Sequence, residues 1–260
     1  MSFFYIKVSL SFHWGYLIRK YTASKTRESY LVPPPTTLIG ALAYGYAKLK
    51  NLPEEDTGYI CYDCSTAERI RKQIISVNTK LLSRIILYAD LTRIWWFRKR
   101  ESIAKMDAVA IGKTYVGKLN TAKDMEVVYV FSNDIKEEEK RNLVKAAYSI
   151  IRIGGSHGLV SVIDVDYGTA SKLVGENTVH TQFSTWGDIV SVQEEVPLLR
   201  ELVVDYKRVG KMGDYSGAPY REHLYMYRVD RLEPVKVEVK LEGGALPIKI
   251  GDEVVVIERQ

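Results

Sequence analysis

An α+β fold is predicted by three observations. Residues Phe3 to Phe12 alternate Phe4, Ile6, Val8 and Leu10 with Tyr5, Lys7 and Ser9, the period-two pattern of a strand with one face turned to a core. Leu38, Ile39, Leu42 and Ala43 recur at helical spacing, and a second helix is expected over Asp134 to Ile151. Strand-like segments lie between and after these helices, so the order runs strand, helix, strands, helix, strand. That order matches a ferredoxin-like βαββαβ unit with an insertion before its third strand.

After the first strand, Gly15 to Leu31 is rich in Arg, Lys, Ser and Thr and reads as a polar loop. Pro33, Pro34 and Pro35 fix an extended entry, and Thr36 or Thr37 can cap the helix that runs to about Lys50. Glu68 to Ile75 is a short helical candidate, followed by strand character at Ile85 to Tyr88 and Trp95 to Phe97. Arg98 to Lys118 reads as a basic excursion between strands, and Met125 to Phe131 resumes strand character. The second helix opens on Glu137, Glu138 and Glu139, as the helix dipole favours, and stops at Gly154 to Gly158 before a strand over Leu159 to Val165. The expected division is 1–175, with an insertion near 98–120, and a smaller β-rich region over 176–260 that includes Val235 to Leu241 and Val254 to Ile257.

The 260 residues are enough for one elaborated domain or two small ones, and 46% apolar with 27% charged content favours a folded chain over a disordered one. No charged start leads into an apolar signal stretch, and runs such as Arg84 to Asp90 fall short of the roughly 20 residues a spanning helix requires. A cytoplasmic, non-membrane protein is expected. Cys61 and Cys64 stand without a second thiol pair or a neighbouring histidine, so neither a zinc site nor any other cofactor is implied. Charge is unevenly spread: residues 1–120 carry a net +10 and residues 121–260 a net −5, the footprint of one part that tracks phosphates.

Aromatic residues interleave with cations in Trp14-Gly-Tyr16-Leu-Ile-Arg19-Lys20-Tyr21 and in Trp95-Trp96-Phe97-Arg98-Lys99-Arg100. Cations neutralise phosphates while rings stack on bases, which is what single-strand binding requires. Trp95 and Trp96 are adjacent on a strand and face opposite ways, so at least one belongs to a core. The cluster Gly154, Gly155, Ser156, His157 and Gly158 follows a helix and precedes a strand, the reverse of a nucleotide-binding loop. It either ends the helix or lets backbone amides approach an RNA phosphate. The histidines are scattered and no catalytic constellation is evident, so no enzyme is expected. Metal-independent RNA cleavage with His13 or His157 as general base is the alternative.

The ordered segment Arg19-Lys-Tyr-Thr-Ala-Ser-Lys-Thr-Arg-Glu-Ser-Tyr-Leu-Val-Pro-Pro-Pro-Thr-Thr-Leu-Ile-Gly-Ala-Leu-Ala43 resembles the N-terminal signature of the CRISPR RAMP family, in its Cas-five branch. The resemblance implies a ferredoxin-like (RRM-like) domain with a thumb insertion, acting as a subunit of a type I Cascade complex. Such a subunit caps the repeat-derived 5′ handle of crRNA and contacts the backbone RAMP subunit of Cas-seven type, the large and small subunits and, through the complex, target DNA. It implies a handle-binding surface on Arg19, Lys20, Lys25, Arg27 and the Gly154 to Gly158 loop, with Lys105, Lys113 and Lys118 on the thumb. One branch of the family processes precursor RNA, which keeps the endoribonuclease alternative open, and a generic RRM-like RNA-binding protein is the third reading. Abundant Lys, Arg, Glu and Tyr point to a thermophilic source and to the archaeal type I-A branch.

Overall fold

The computed structural model describes residues 2–20, 28–53, 55–56, 64–98, 103–117, 122–155, 157–212, 215 and 217–259. It begins with β1 (Ser2–Phe12), β2 (Gly15–Tyr16), α1 (Pro35–Lys50), β3 (Glu55–Asp56), β4 (Cys64–Ser65) and α2 (Ala67–Arg71). Then follow β5 (Ile74–Leu81), β6 (Arg84–Arg98), β7 (Ile103–Gly117), β8 (Met125–Ser132), α3 (Glu137–Tyr148) and β9 (Val160–Lys172). The remainder is strand: β10 (Thr178–Thr181), β11 (Thr185–Trp186), β12 (Val190–Val192), β13 (Leu198–Val204), β14 (Tyr220–Arg228) and β15 (Glu233–Pro234). The last three are β16 (Val237–Leu241), β17 (Ala245–Ile250) and β18 (Glu253–Glu258). The described residues thus form a mixed α/β structure with many strands and few helices.

A six-stranded sheet in the order β18-β17-β9-β1-β8-β5 organises the molecule. β1 lies inside it, antiparallel to both β8 and β9. Its Phe4, Ile6, Val8, Leu10 and Phe12 enter the core shared with α1 and α3, as the alternation predicts. The opposite face is covered as well: Phe3 and Tyr5 pack with Val128, Val130, Phe183, Ile248 and Val255. The C-terminal residues supply that cover, and β17 and β18 extend the same sheet rather than standing apart. The sheet curls until its two edges approach, with Asn78 Nδ2 on β5 donating to the Val256 carbonyl on β18 at 3.1 Å. Lys80 also pairs with Glu253 across this gap.

α1 begins at Pro35, whose ring presets the helical φ and whose missing N–H is not needed at that position. Neither Thr36 nor Thr37 caps it: Pro34 occupies the cap position, and its carbonyl accepts from Thr37 N at 2.9 Å and Leu38 N at 3.2 Å. The triple proline already aims that carbonyl, so no side-chain cap is required. The helix ends at Asn51, in the left-handed conformation at φ 52°. Tyr46 Oη donates to Glu139 Oε1 at 2.8 Å, linking α1 to α3, and burial with this carboxylate pushes the phenol up to about 12.

β6 and β7 form one antiparallel hairpin with fifteen residues in each strand, register Arg84↔Gly117 to Arg98↔Ile103. The two short strands expected around Ile85 and Trp95 are therefore one, and the basic segment from Ile103 is its returning partner. Ile85 is buried and its N–H donates to Tyr227 Oη at 3.0 Å, whereas Ile86, Leu87 and Tyr88 are all exposed. Beyond Ile85, at ~3.3 Å per residue, Arg98 lies roughly 40 Å further along the strand.

Candidate nucleic-acid interface

The polar segment after β1 is a narrow ribbon. Tyr30 N donates to the Ile18 carbonyl at 2.8 Å and Lys20 N to the Glu28 carbonyl at 2.9 Å, with Arg19 opposite Ser29. Residues 21–27 lie outside the described residues, and with them the candidates Lys25 and Arg27. β2 pairs with β7 through Gly15↔Tyr115 and Tyr16↔Thr114, which docks the ribbon on the root of the hairpin. Gly112 permits this contact, since a Cβ there would lie 2.6 Å from Ser29 N. Thr114 Oγ1 completes the join by donating to the Tyr30 carbonyl at 2.8 Å.

The glycine loop docks on the other side of the ribbon. Gly155 N donates to the Leu17 carbonyl at 3.3 Å, and Gly154 lies against Ile18. Gly158 N donates to the Gly155 carbonyl at 3.0 Å, and a Cβ at Gly158 would meet the Ile153 carbonyl oxygen at 1.9 Å. The described amides of Gly155 and Gly158 therefore serve the turn and its packing, and these glycines have a structural reason to be small. Ser156 lies outside the described residues.

Three segments far apart in the chain thus converge: the ribbon, the hairpin root and the glycine loop. On their shared surface Trp14 packs edge-on against Tyr115 at 5.4 Å and against His157 at 6.2 Å, while Tyr88 meets Tyr115 at 5.6 Å. Tyr88, Tyr115 and His157 are exposed, as is Arg19. An exposed group of rings bordered by cations is chemically suited to stacking on bases while phosphates are neutralised. Tyr88 was legible only as a strand residue and Tyr115 only as part of the basic excursion between strands, because nothing local in the sequence says that they lie beside Trp14.

The cations divide into groups. Arg19 is exposed, and Lys113 faces Tyr88 in the hairpin register near the root. Lys20 is turned partly inward: its Nζ lies 3.4 Å from Glu28, 3.7 Å from Glu201 and 5.8 Å from the Tyr30 ring centre. Glu201 is buried, accepts from Leu31 N at 3.1 Å and Val32 N at 3.3 Å, and no sequence signal marks it. Burial pushes its carboxyl above the usual range, although the two amides and Lys20 oppose this. Arg98 ends β6 and Lys105 pairs opposite Trp96, both at the far end of the hairpin and away from the glycine loop. Lys99, Arg100 and Lys118 lie outside the described residues.

The histidines proposed as general bases are held separately. His13 Nε2 lies 3.2 Å from Ser161 Oγ on β9, and His157 lies against Trp14. No group of three or more metal-ligating side chains occurs among the described residues, nor does any helix there that is long and apolar enough to cross a membrane.

No family model matches the chain. It is 31% identical over 258 residues to CRISPR-associated protein Cas5 3 of Saccharolobus solfataricus, covering 97% of this chain and 98% of that relative. It is also 31% identical over 260 residues to CRISPR system aCascade subunit Cas5 1 of the same organism, with the same coverage of both chains. Among solved structures, a CRISPR protein from Archaeoglobus fulgidus matches with a TM-score of 0.66 and 22% identity, covering 99% of this chain and 100% of that one, so the two share a fold. Near-complete coverage at this identity identifies the chain as a member of the Cas5 family of CRISPR-associated proteins.

Proposed function

We propose that the chain is the non-catalytic crRNA-binding subunit of a type I Cascade complex, of the archaeal type I-A branch, and that it holds the repeat-derived 5′ handle. The observation that carries this reading is the convergence of ribbon, hairpin root and glycine loop beneath Trp14, Tyr88, Tyr115 and Arg19. The relative named as an aCascade subunit supports the assembly part of the proposal. The strand order β9-β1-β8-β5, with α1 and α3 as the intervening helices, supports a ferredoxin-like unit within 1–175. The β6-β7 hairpin is its thumb, and 176–260 braces it.

In this reading Arg19, Lys20, Lys25, Arg27 and the Gly154 to Gly158 loop serve the handle. Arg98, Lys99, Arg100, Lys105, Lys113 and Lys118 extend along the thumb toward the neighbouring backbone subunit. The large and small subunits complete the assembly, which meets target DNA in the cytoplasm. The engagement of His13 by Ser161 and of His157 by Trp14 favours structural roles over proton transfer.

Binding of RNA carrying the repeat-derived handle should exceed binding of a scrambled sequence at fixed salt with the partner subunits present. Equal binding would refute handle recognition. Precursor repeat RNA incubated with the protein in chelator should remain intact, and cleavage lost on His13→Ala or His157→Ala would establish the endoribonuclease instead.

A further inference from the structure

α1 contains two glycines, and internal packing accounts for only one. A Cβ at Gly45 would lie 2.5 Å from the Ala146 carbonyl oxygen, so the close crossing of α1 and α3 requires a glycine there. At Gly40 no described atom outside the neighbouring backbone of the helix lies within 4 Å of the corresponding position. Glycine inside a helix is destabilising relative to alanine, and no contact among the described residues compensates for it at Gly40.

Gly40 lines a cleft of about 230 Å³ between α1, residues 65–67 and the start of the glycine loop. Thr37, Tyr44, Thr66, Arg152 and Gly154 are among its walls. Two cations sit over the Tyr44 ring, Lys48 Nζ at 5.4 Å and Arg152 Cζ at 5.1 Å from its centre. Among the described residues the Arg152 guanidinium meets no carboxylate, and the residue is exposed. Gly154 lines this cleft and also packs on Ile18 of the ribbon, so the cleft borders the glycine loop that carries His157.

We propose that this cleft is a nucleotide subsite, in which a phosphodiester of bound RNA pairs with Arg152 and the attached sugar lies against the bare backbone at Gly40. The guanidinium suits a phosphate by charge and by its planar donor fork. Glycine lets the sugar approach the helix more closely than any side chain would permit. The two cations over the Tyr44 ring and the adjoining glycine loop of the proposed RNA interface favour an RNA phosphodiester over a protein occupant.

This rests on the RNA-binding reading, and the test separates the two. Affinity for handle RNA is measured by fluorescence anisotropy on the full chain for wild type, Gly40→Leu and Arg152→Ala. The open space at Gly40 predicts that Gly40→Leu folds with a melting temperature no lower than wild type and binds at least tenfold more weakly. Arg152→Ala should also weaken binding and reduce the slope of log K against log salt by about 0.7. Wild-type affinity in both variants overturns the subsite, and so does RNA affinity that persists while Gly40→Leu loses assembly with the partner subunits. A wild type that, with the partner subunits present, does not distinguish handle from scrambled RNA overturns the broader reading instead. Should Gly40→Leu melt early, Arg152→Ala decides alone, since among the described residues the ring of Tyr44 is the side-chain partner of that exposed group.

Discussion

Lys20 Nζ lies 3.7 Å from the carboxylate of Glu201, a group only 4% exposed that also accepts the N–H groups of Leu31 and Val32. This ribbon cation is therefore partly committed to the fold. Lys20→Ala should cost about 1–2 kcal/mol of stability, because it leaves a buried charge with less compensation. Arg19→Ala, at an exposed position, should leave stability within about 0.5 kcal/mol and lower the RNA salt slope by about 0.7. Denaturant melts and salt titrations of both variants check this pair, and equal stability losses would contradict it.

Gly112 is the contact point between hairpin and ribbon. Gly112→Val places side-chain atoms against Ser29 N, where even a Cβ would lie only 2.6 Å away, and should cost about 2–3 kcal/mol locally. Limited proteolysis should then cut 17–31 faster than in wild type, with RNA affinity falling in parallel. An unchanged cleavage pattern would mean that the ribbon is held elsewhere.

Tyr115 tests the ring cluster. It is 40% exposed and touches Trp14 and Tyr88 through its ring. Tyr115→Ala should weaken handle binding by about 1–3 kcal/mol, the contribution of one stacked base, while Tyr115→Phe retains most of the affinity. Similar losses in both variants would assign the effect to the hydroxyl and not to stacking.

His223 gives the fold a pH dependence separate from RNA. It is fully buried beside Trp186, Tyr225 and Ser184, and burial, assisted by nearby Arg221, lowers its pKa from 6.5 to about 3. Between those values the unfolded chain binds a proton that the folded chain excludes. Its contribution is therefore full above about pH 6.5 and falls as pH drops toward 3, by at most about 1.4 kcal/mol per unit. His223→Phe should flatten the curve of unfolding free energy against pH in that window, although it also leaves Ser184 Oγ without its ring partner. A slope equal to wild type would show that His223 is not the group responsible.

Several elements of the first 175 residues were legible because their signals are local, but β5 was not: the helix expected over Glu68 to Ile75 stops at Arg71, and Ile74–Leu81, buried on both faces, shows no alternation that would mark a strand. β1 shows its alternation, the three prolines prepare α1, and Glu137 to Glu139 mark the start of α3. The long hairpin was harder to read, since exposed strands such as Ile86-Leu87-Tyr88 lack the contrast between an apolar and a polar face. The return of β17 and β18 to the first sheet depends on partners more than 70 residues away, which no short window reveals. Arg19 and the glycine loop were visible as types of residue, whereas their docking through Gly155 and Leu17 is a tertiary fact. The same holds for Glu201, whose importance comes from the amides that it reaches.

The curled sheet also has a temporal side. Its inner strand β1 is made first and its closing strand β18 last, so Phe3 and Tyr5 cannot complete their cover until residues 245–258 have left the ribosome. At ~5–20 residues per second, the stretch from 176 to 258 takes roughly 4–17 s to synthesise. For that interval the nascent chain carries a greasy, half-roofed surface that a chaperone can recognise and that neighbouring nascent chains can stick to.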